Sequence, residues 1–145
     1  LFIAGGSAGG IGTAYAVGLT DRFNAAVASK PVINWYSFVL YADNISYFYR
    51  YWFTGLPWDN VEEYMKRSPI SYVGNVKTPT MLLTGEDDYR TPMAESEQFY
   101  SGLKLNKVES MLVRIPGASH GIASRPSNLI AKVNAIIAWF EKYKK

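Results

Sequence analysis

Gly5-Gly6-Ser7-Ala8-Gly9 is a G-x-S-x-G stretch set between the apolar run Leu1-Phe2-Ile3-Ala4 and a segment, Ala8 to Leu19, that reads as a helix. A serine on so sharp a strand-to-helix turn needs neighbours with almost no side chain, because the backbone is strained there and the turn packs closely on adjacent strands. Such an elbow presents the Ser7 hydroxyl bare at the end of a sheet. It also makes the backbone N–H of the next residue, Ala8, a donor for a developing oxyanion. Gly-rich strand-to-helix turns can instead cradle phosphates at a helix N-terminus, but both relevant spacings fail. A G-x-G-x-x-G counted from Gly10 meets Tyr15 at its sixth position, and a G-x-x-x-x-G-K from Gly5 to Gly10 meets Ile11 where lysine is required.

The polar residues downstream follow the order Ser, then Asp or Glu, then His that an α/β-hydrolase triad has along its chain. Glu86-Asp87-Asp88 follows the strand-like Thr80-Met81-Leu82-Leu83-Thr84-Gly85. His120 follows the strand-like Met111-Leu112-Val113-Arg114-Ile115. Each candidate thus stands just past the carboxyl end of a predicted parallel strand, the edge at which open α/β sheets bind ligands. By sequence alone the three acids are tied. His120 is the only histidine, and its loop, Pro116-Gly117-Ala118-Ser119-His120-Gly121, carries little apolar side chain to bury an imidazole in a core.

Alternating strands and helices imply an α/β fold, a parallel sheet flanked by helices. A short buried strand is expected over Asn24 to Ser29, and a short helix containing Glu62 to Lys66 should stop before Ser68-Pro69. Thr91 as N-cap with Pro92 at the first helical position should open a helix running to about Leu103. The last helix, about Ser127 to Tyr143, carries Leu129, Ile130, Val133, Ile136, Ile137 and Phe140 at helical spacing. At roughly 1.5–3 kcal/mol per buried large side chain, burial of all six would dock it by about 10 kcal/mol.

Half of the aromatic rings of the chain fall between Trp35 and Trp58. Such density serves either as a local core beneath short helices or as the lining of an apolar pocket over Ser7, since ligand sites are aromatic concavities with few polar groups. Trp35 and Tyr36 are the substrate-binding candidates among these rings. Arg90, two residues past the last acid, is a further candidate, with a structural ion pair as its alternative. Asn34 reads as a turn residue.

With 145 residues and 48% hydrophobic content the chain has the makings of one domain's core. The net charge of +3 is spread along the sequence apart from the lysine tail, so no nucleic-acid footprint is expected. No apolar stretch approaches the roughly 18 residues of a membrane span. Absence of cysteine excludes thiol chemistry and fits a reducing, cytoplasmic compartment. One histidine, no cysteine and no calcium-loop spacing leave no expected metal site. No cofactor is implied.

Gly5-Gly6-Ser7-Ala8-Gly9-Gly10, Asp21-Arg22-Phe23, Ser68-Pro69, Thr84-Gly85-Glu86-Asp87-Asp88-Tyr89-Arg90-Thr91-Pro92 and Gly117-Ala118-Ser119-His120-Gly121 together resemble the catalytic domain of the prolyl oligopeptidase family, and more closely its acylaminoacyl-peptidase branch. The resemblance covers essentially the whole chain. In that family a Gly-x-Asp-Asp-x-Arg-x-Pro loop carries the triad acid two residues before the arginine, which here is Asp88. It further implies a serine peptidase acting on short peptides, an α/β-hydrolase domain preceded by a β-propeller, and a His-Gly-Gly loop supplying a second oxyanion donor. On this reading residues 1–145 are the C-terminal portion of one catalytic domain, without its pre-nucleophile strands. A carboxylesterase of the same fold is the near alternative. A catalytically incompetent fragment is the other, pairing through its open sheet edge with a complementary chain or with itself.

Overall fold

The computed structural model describes residues 1–144. Four parallel strands form one sheet in the order β1-β2-β3-β4, with β1 spanning Phe2–Gly6, β2 Ala25–Ser29, β3 Thr80–Gly85 and β4 Ser110–Ile115. Register runs Gly6 to Ser29, Ser29 to Leu83 and Leu83 to Val113, so the carboxyl ends of all four strands open onto one edge. The two central strands are buried along their whole length, as strands covered on both faces must be.

Side chains alternate across the pleat and divide the core in two. Ala26, Ala28 and Leu82 face one side, where α1 (Ala8–Leu19) brings Ala14 and Val17 and α5 (Met93–Leu105) brings Phe99 and Leu103. Ala25, Val27, Met81 and Leu83 face the other, against Trp139 of α6 (Pro126–Lys142) and Ile122. Alanines in β2 let the helices approach closely. Within α1, glycines lower intrinsic helix propensity, and the sheet holds the helix in their stead.

Between β2 and β3 the chain forms α2 (Trp35–Tyr41), α3 (Ile45–Tyr51), α4 (Val61–Lys66) and a 3₁₀ segment, Pro69–Asn75. Trp35, Phe38, Val39, Phe53 and Tyr64 make a third, aromatic cluster there. Asn34 caps α2, its side chain accepting from the backbone N–H groups of Tyr36 (3.1 Å) and Ser37 (3.4 Å). Glu95 of α5 fixes this segment from below. One carboxylate oxygen accepts from the Ile33 and Asn34 N–H groups, both at 2.8 Å, and the other from Ser37, Tyr41 and Gln98. Burial pushes the Glu95 carboxyl up, against the pull of the Tyr41, Asn34, Ile33 and Ser37 hydrogen bonds. Glu95→Ala strips an acceptor from several inward-facing donors at about 1–3 kcal/mol each. The expected loss is on the order of 3 kcal/mol, read as a lower denaturant midpoint at unchanged m-value.

Two expectations need correction. The helix α5 begins at Met93, with Pro92 as its cap residue, so Thr91 is not the N-cap; its hydroxyl is engaged elsewhere, as described below. The stripe on α6 is only partly docked: Ile136 and Phe140 pack against the core, while Leu129, Val133, Ile137 and Ile130 are 44%, 42%, 54% and 60% exposed. Helical spacing makes the stripe wider than the sheet surface available to it. The helix is anchored instead by Trp139, which is buried and donates its indole N–H to the Ala26 carbonyl at 3.1 Å, and by the stacking of Phe140 on Phe2.

Candidate active site

Ser7 sits between β1 and α1 with φ 56° and ψ −116°, a strained backbone for a residue with a side chain, costing about 1–3 kcal/mol. The strain is held by its surroundings. The Ser7 N–H donates to the Ser29 carbonyl at 3.0 Å and its carbonyl accepts from Ile11 at 3.0 Å. Gly5 must lack a side chain, since a Cβ there would overlap the Gly9 carbonyl. The Ala8 N–H, first in α1, makes no hydrogen bond among the described residues, as expected of an orphan donor at a helix start.

Past β3 the three acids separate. Glu86 is exposed and pairs with Arg114 at 3.0 Å, and Asp87 is exposed, its N–H donating to the Ala118 carbonyl at 3.0 Å. Asp88 is buried. Its Oδ1 accepts from the backbone N–H groups of Arg90 (3.0 Å) and Thr91 (2.8 Å), and its Oδ2 accepts from the Thr91 hydroxyl (3.1 Å) and faces His120 Nδ1 at 2.8 Å. Thr91, read from sequence as a helix cap, therefore serves the acid. Nothing in the local pattern distinguishes the two uses, because both place a threonine directly before Pro92.

His120 lies in the loop between β4 and α6. The loop is pressed against the acid's turn at Gly85, where a Cβ would run into the Ala118 carbonyl, and is anchored beyond the imidazole by the fully buried Ile122. Nε2 of His120 is 3.0 Å from Ser7 Oγ. Ser7, His120 and Asp88, spread from residue 7 to residue 120, thus form one hydrogen-bonded row in which the imidazole bridges hydroxyl and carboxylate. With Nδ1–H donated to Asp88, Nε2 is left as an acceptor for the serine proton. The row can make an alcohol nucleophilic.

A cleft of about 190 Å³ opens beside Ser7 and His120, lined by Trp35, Phe38, Phe48 and Trp52 with Val32 and Arg90. The aromatic segment is thus core and lining at once. Trp35 and Phe38 share a helix face three residues apart, while Tyr36 lies round the helix from them and packs on Tyr64, centroids 6.4 Å apart. Tyr36 is not among the residues that line the cleft. Arg90 makes an ion pair, Nε with Asp43 at 2.6 Å, and also lines the cleft. Its terminal guanidinium nitrogens make no hydrogen bond among the described residues. No group of three His, Asp or Glu side chains is placed to hold a metal, and no helix is long and apolar enough to cross a membrane, among those residues.

Known proteins share this arrangement of chain. The prolyl oligopeptidase family matches residues 1–145. The uncharacterized peptidase YuxL of Bacillus subtilis is 39% identical over 99% of this chain and 22% of its own length. The solved Pyrococcus horikoshii acylaminoacyl peptidase superposes with a TM-score of 0.92 at 28% identity, over 98% of this chain and 24% of that one. An acylaminoacyl peptidase solved in complex with Z-Gly-Gly-Phe-chloromethyl ketone gives 0.91 at 30% identity, over 97% and 23%. The chain therefore spans roughly a quarter or less of these relatives, and its parallel sheet with flanking helices is that of the α/β-hydrolase fold. Because the family match extends from Leu1 to Lys145 and the relatives agree with it in sequence and shape, the chain belongs to the prolyl oligopeptidase family.

Proposed function

We propose that Ser7, His120 and Asp88 are the catalytic triad of a serine peptidase that cleaves amide bonds in short, amino-terminally blocked or unblocked peptides. The observation that carries this reading is the 3.0 Å approach of Nε2 of His120 to the Ser7 hydroxyl, with Nδ1 held at 2.8 Å by a buried carboxylate. His120 takes the serine proton as Oγ attacks the scissile carbonyl and returns it to the leaving amine, producing an acyl-enzyme. A water activated by the same nitrogen then releases the acid. Asp88 holds the tautomer and stabilises the imidazolium. The unpaired Ala8 N–H supports the oxyanion, and a second donor comes from polypeptide beyond these residues.

The aromatic cleft accepts an apolar side chain next to the scissile bond, in keeping with the phenylalanine of the chloromethyl ketone bound by the solved relative. The free terminal N–H groups of Arg90 hydrogen-bond a carbonyl of the peptide. In this reading the 145 residues work as the C-terminal portion of a longer catalytic polypeptide. Three features support that: the share of the relatives they span, the unpaired outer edge of β1, and the exposed apolar flank of α6. A cytoplasmic site of action is part of the proposal, in keeping with a chain free of cysteine.

Assay of that longer polypeptide on acyl-amino-acid anilides and short-chain nitrophenyl esters tests the reaction class. Turnover of acyl-phenylalanine anilide, well above that of the corresponding acyl-aspartate anilide, is expected. Turnover of esters alone would assign the site to a carboxylesterase, and turnover of neither, by a folded protein, to a non-catalytic domain.

A further inference from the structure

The carboxyl ends of β1, β3 and β4 lead to Ser7, Asp88 and His120; the end of β2 leads to Lys30. We propose that Lys30 is a positioning residue that sets His120 against Ser7, an inference that rests on the triad reading above. Its ammonium donates to the backbone carbonyl of His120 at 2.5 Å, across 90 residues of sequence. Among the described residues no backbone N–H reaches that carbonyl, so the lysine is what ties down the histidine's own peptide group. On either side the loop is held by other contacts, the Ala118 carbonyl accepting from the Asp87 N–H at 3.0 Å and the Ser119 carbonyl from the N–H of the buried Ile122 at 2.9 Å, so the His120 carbonyl between them is the point left to Lys30.

The route of the side chain is unusual in two respects. Lys30 itself has φ 41°, a left-handed conformation that residues bearing a Cβ adopt at a cost and that glycine or asparagine tolerates better. Its N–H is fixed to the Leu83 carbonyl at 2.7 Å, while the carbonyl of the preceding residue, Ser29, receives the Ser7 N–H at 3.0 Å. From that base the aliphatic stem passes over the nucleophile's elbow, where a Cβ placed on Gly6 would lie 3.5 Å from Lys30 Cε, and only then reaches the histidine loop. One dipeptide, Ser29-Lys30, therefore holds the backbone of the nucleophile through its carbonyl and the backbone of the general base through its ammonium.

The charge environment is consistent with a dedicated contact. Burial and the facing Lys132 of α6 draw the Lys30 amine below its ordinary pKa, while Asp88 acts in the opposite direction. Since a displacement of about 1 Å at a reacting pair costs on the order of 100-fold in rate, loosening the His120 peptide should appear in the chemical step and leave substrate binding in the aromatic cleft intact.

The test compares Lys30→Met and Lys30→Arg with wild type in the longer polypeptide. Readouts are kcat and KM on acyl-phenylalanine anilide, the rate of fluorophosphonate labelling, and the thermal midpoint. Lys30→Met keeps the stem and loses the donor: kcat and labelling rate should fall about 10- to 100-fold with KM within about twofold, and Lys30→Arg, which keeps a donor, should recover most of the loss. Should Lys30→Met fail to fold, Lys30→Gln, whose amide is too short to reach the loop, takes its place with the same expected outcome. Wild-type rates in the donor-less variant, equal losses in the Met and Arg variants, or a change confined to KM would each overturn the assignment. Failure of wild type to label at all would instead reject the triad on which it rests.

Discussion

Ser7→Ala should lower kcat by about 10⁴-fold or more with KM little changed, because on the proposed mechanism the substitution removes the attacking atom and leaves the cleft and the Ala8 N–H in place. The backbone geometry gives this variant a second expected property. Alanine is no more strained than serine at φ 56°, and the elbow is held by backbone bonds to Ser29 and Ile11 that do not involve the hydroxyl. The thermal midpoint should therefore stay within about 2 °C of wild type, which corresponds to less than about 1 kcal/mol. Steady-state kinetics and a melting curve on the same preparation check both halves. A large fall in midpoint would mean that the hydroxyl has a structural role not visible in its single contact with His120.

Asp88→Asn should cost about 10⁴-fold in kcat, and the hydrogen bonds around the acid say why. Backbone N–H groups of Arg90 and Thr91 both require an acceptor at the Oδ1 position, so the asparagine oxygen is fixed there and its amide NH₂ must take the place of Oδ2. That NH₂ faces His120 Nδ1, which has to become the acceptor; the imidazole proton moves to Nε2 and points at Ser7. The geometry survives in the wrong tautomer, a change worth about 10⁴ in a serine protease. Thr91 has a hydroxyl free to rotate, so it can accept from the new amide and limit the structural cost. Activity of Asp88→Asn within tenfold of wild type would show that the imidazole is oriented by another group.

How much of this was legible from residues alone differs from element to element. The elbow was, because G-x-S-x-G reports a local backbone requirement that neighbouring glycines satisfy whatever the rest of the fold does. The strands were, because β2 and β3 are continuous apolar runs and buried on both faces. Choosing Asp88 over Glu86 and Asp87 was not possible from spacing, since three adjacent acids differ only in the direction each leaves the turn, and that direction is set by the contacts of Gly85 and Thr91. The family resemblance supplied the choice.

Rings were harder still. Composition announces an aromatic cluster but not which faces meet Ser7, and Trp35 and Tyr36, adjacent in sequence, part company on successive positions of α2. The stripe on α6 shows the converse difficulty: periodicity identifies an apolar face, yet its burial depends on what lies opposite. Lys30 carried no sequence signal at all. Its contact spans 90 residues and arises only when four strand ends are brought into line.

The proposed mechanism requires that Ser7 Oγ, and no other hydroxyl, be the activated nucleophile. Reaction of the longer polypeptide with a fluorophosphonate, followed by peptide mass spectrometry, measures that directly. A single stoichiometric adduct on the peptide containing Ser7, absent from Ser7→Ala and strongly slowed in a His120→Ala variant, is the expected result. An adduct on another residue, or undiminished modification of Ser7→Ala, would contradict it.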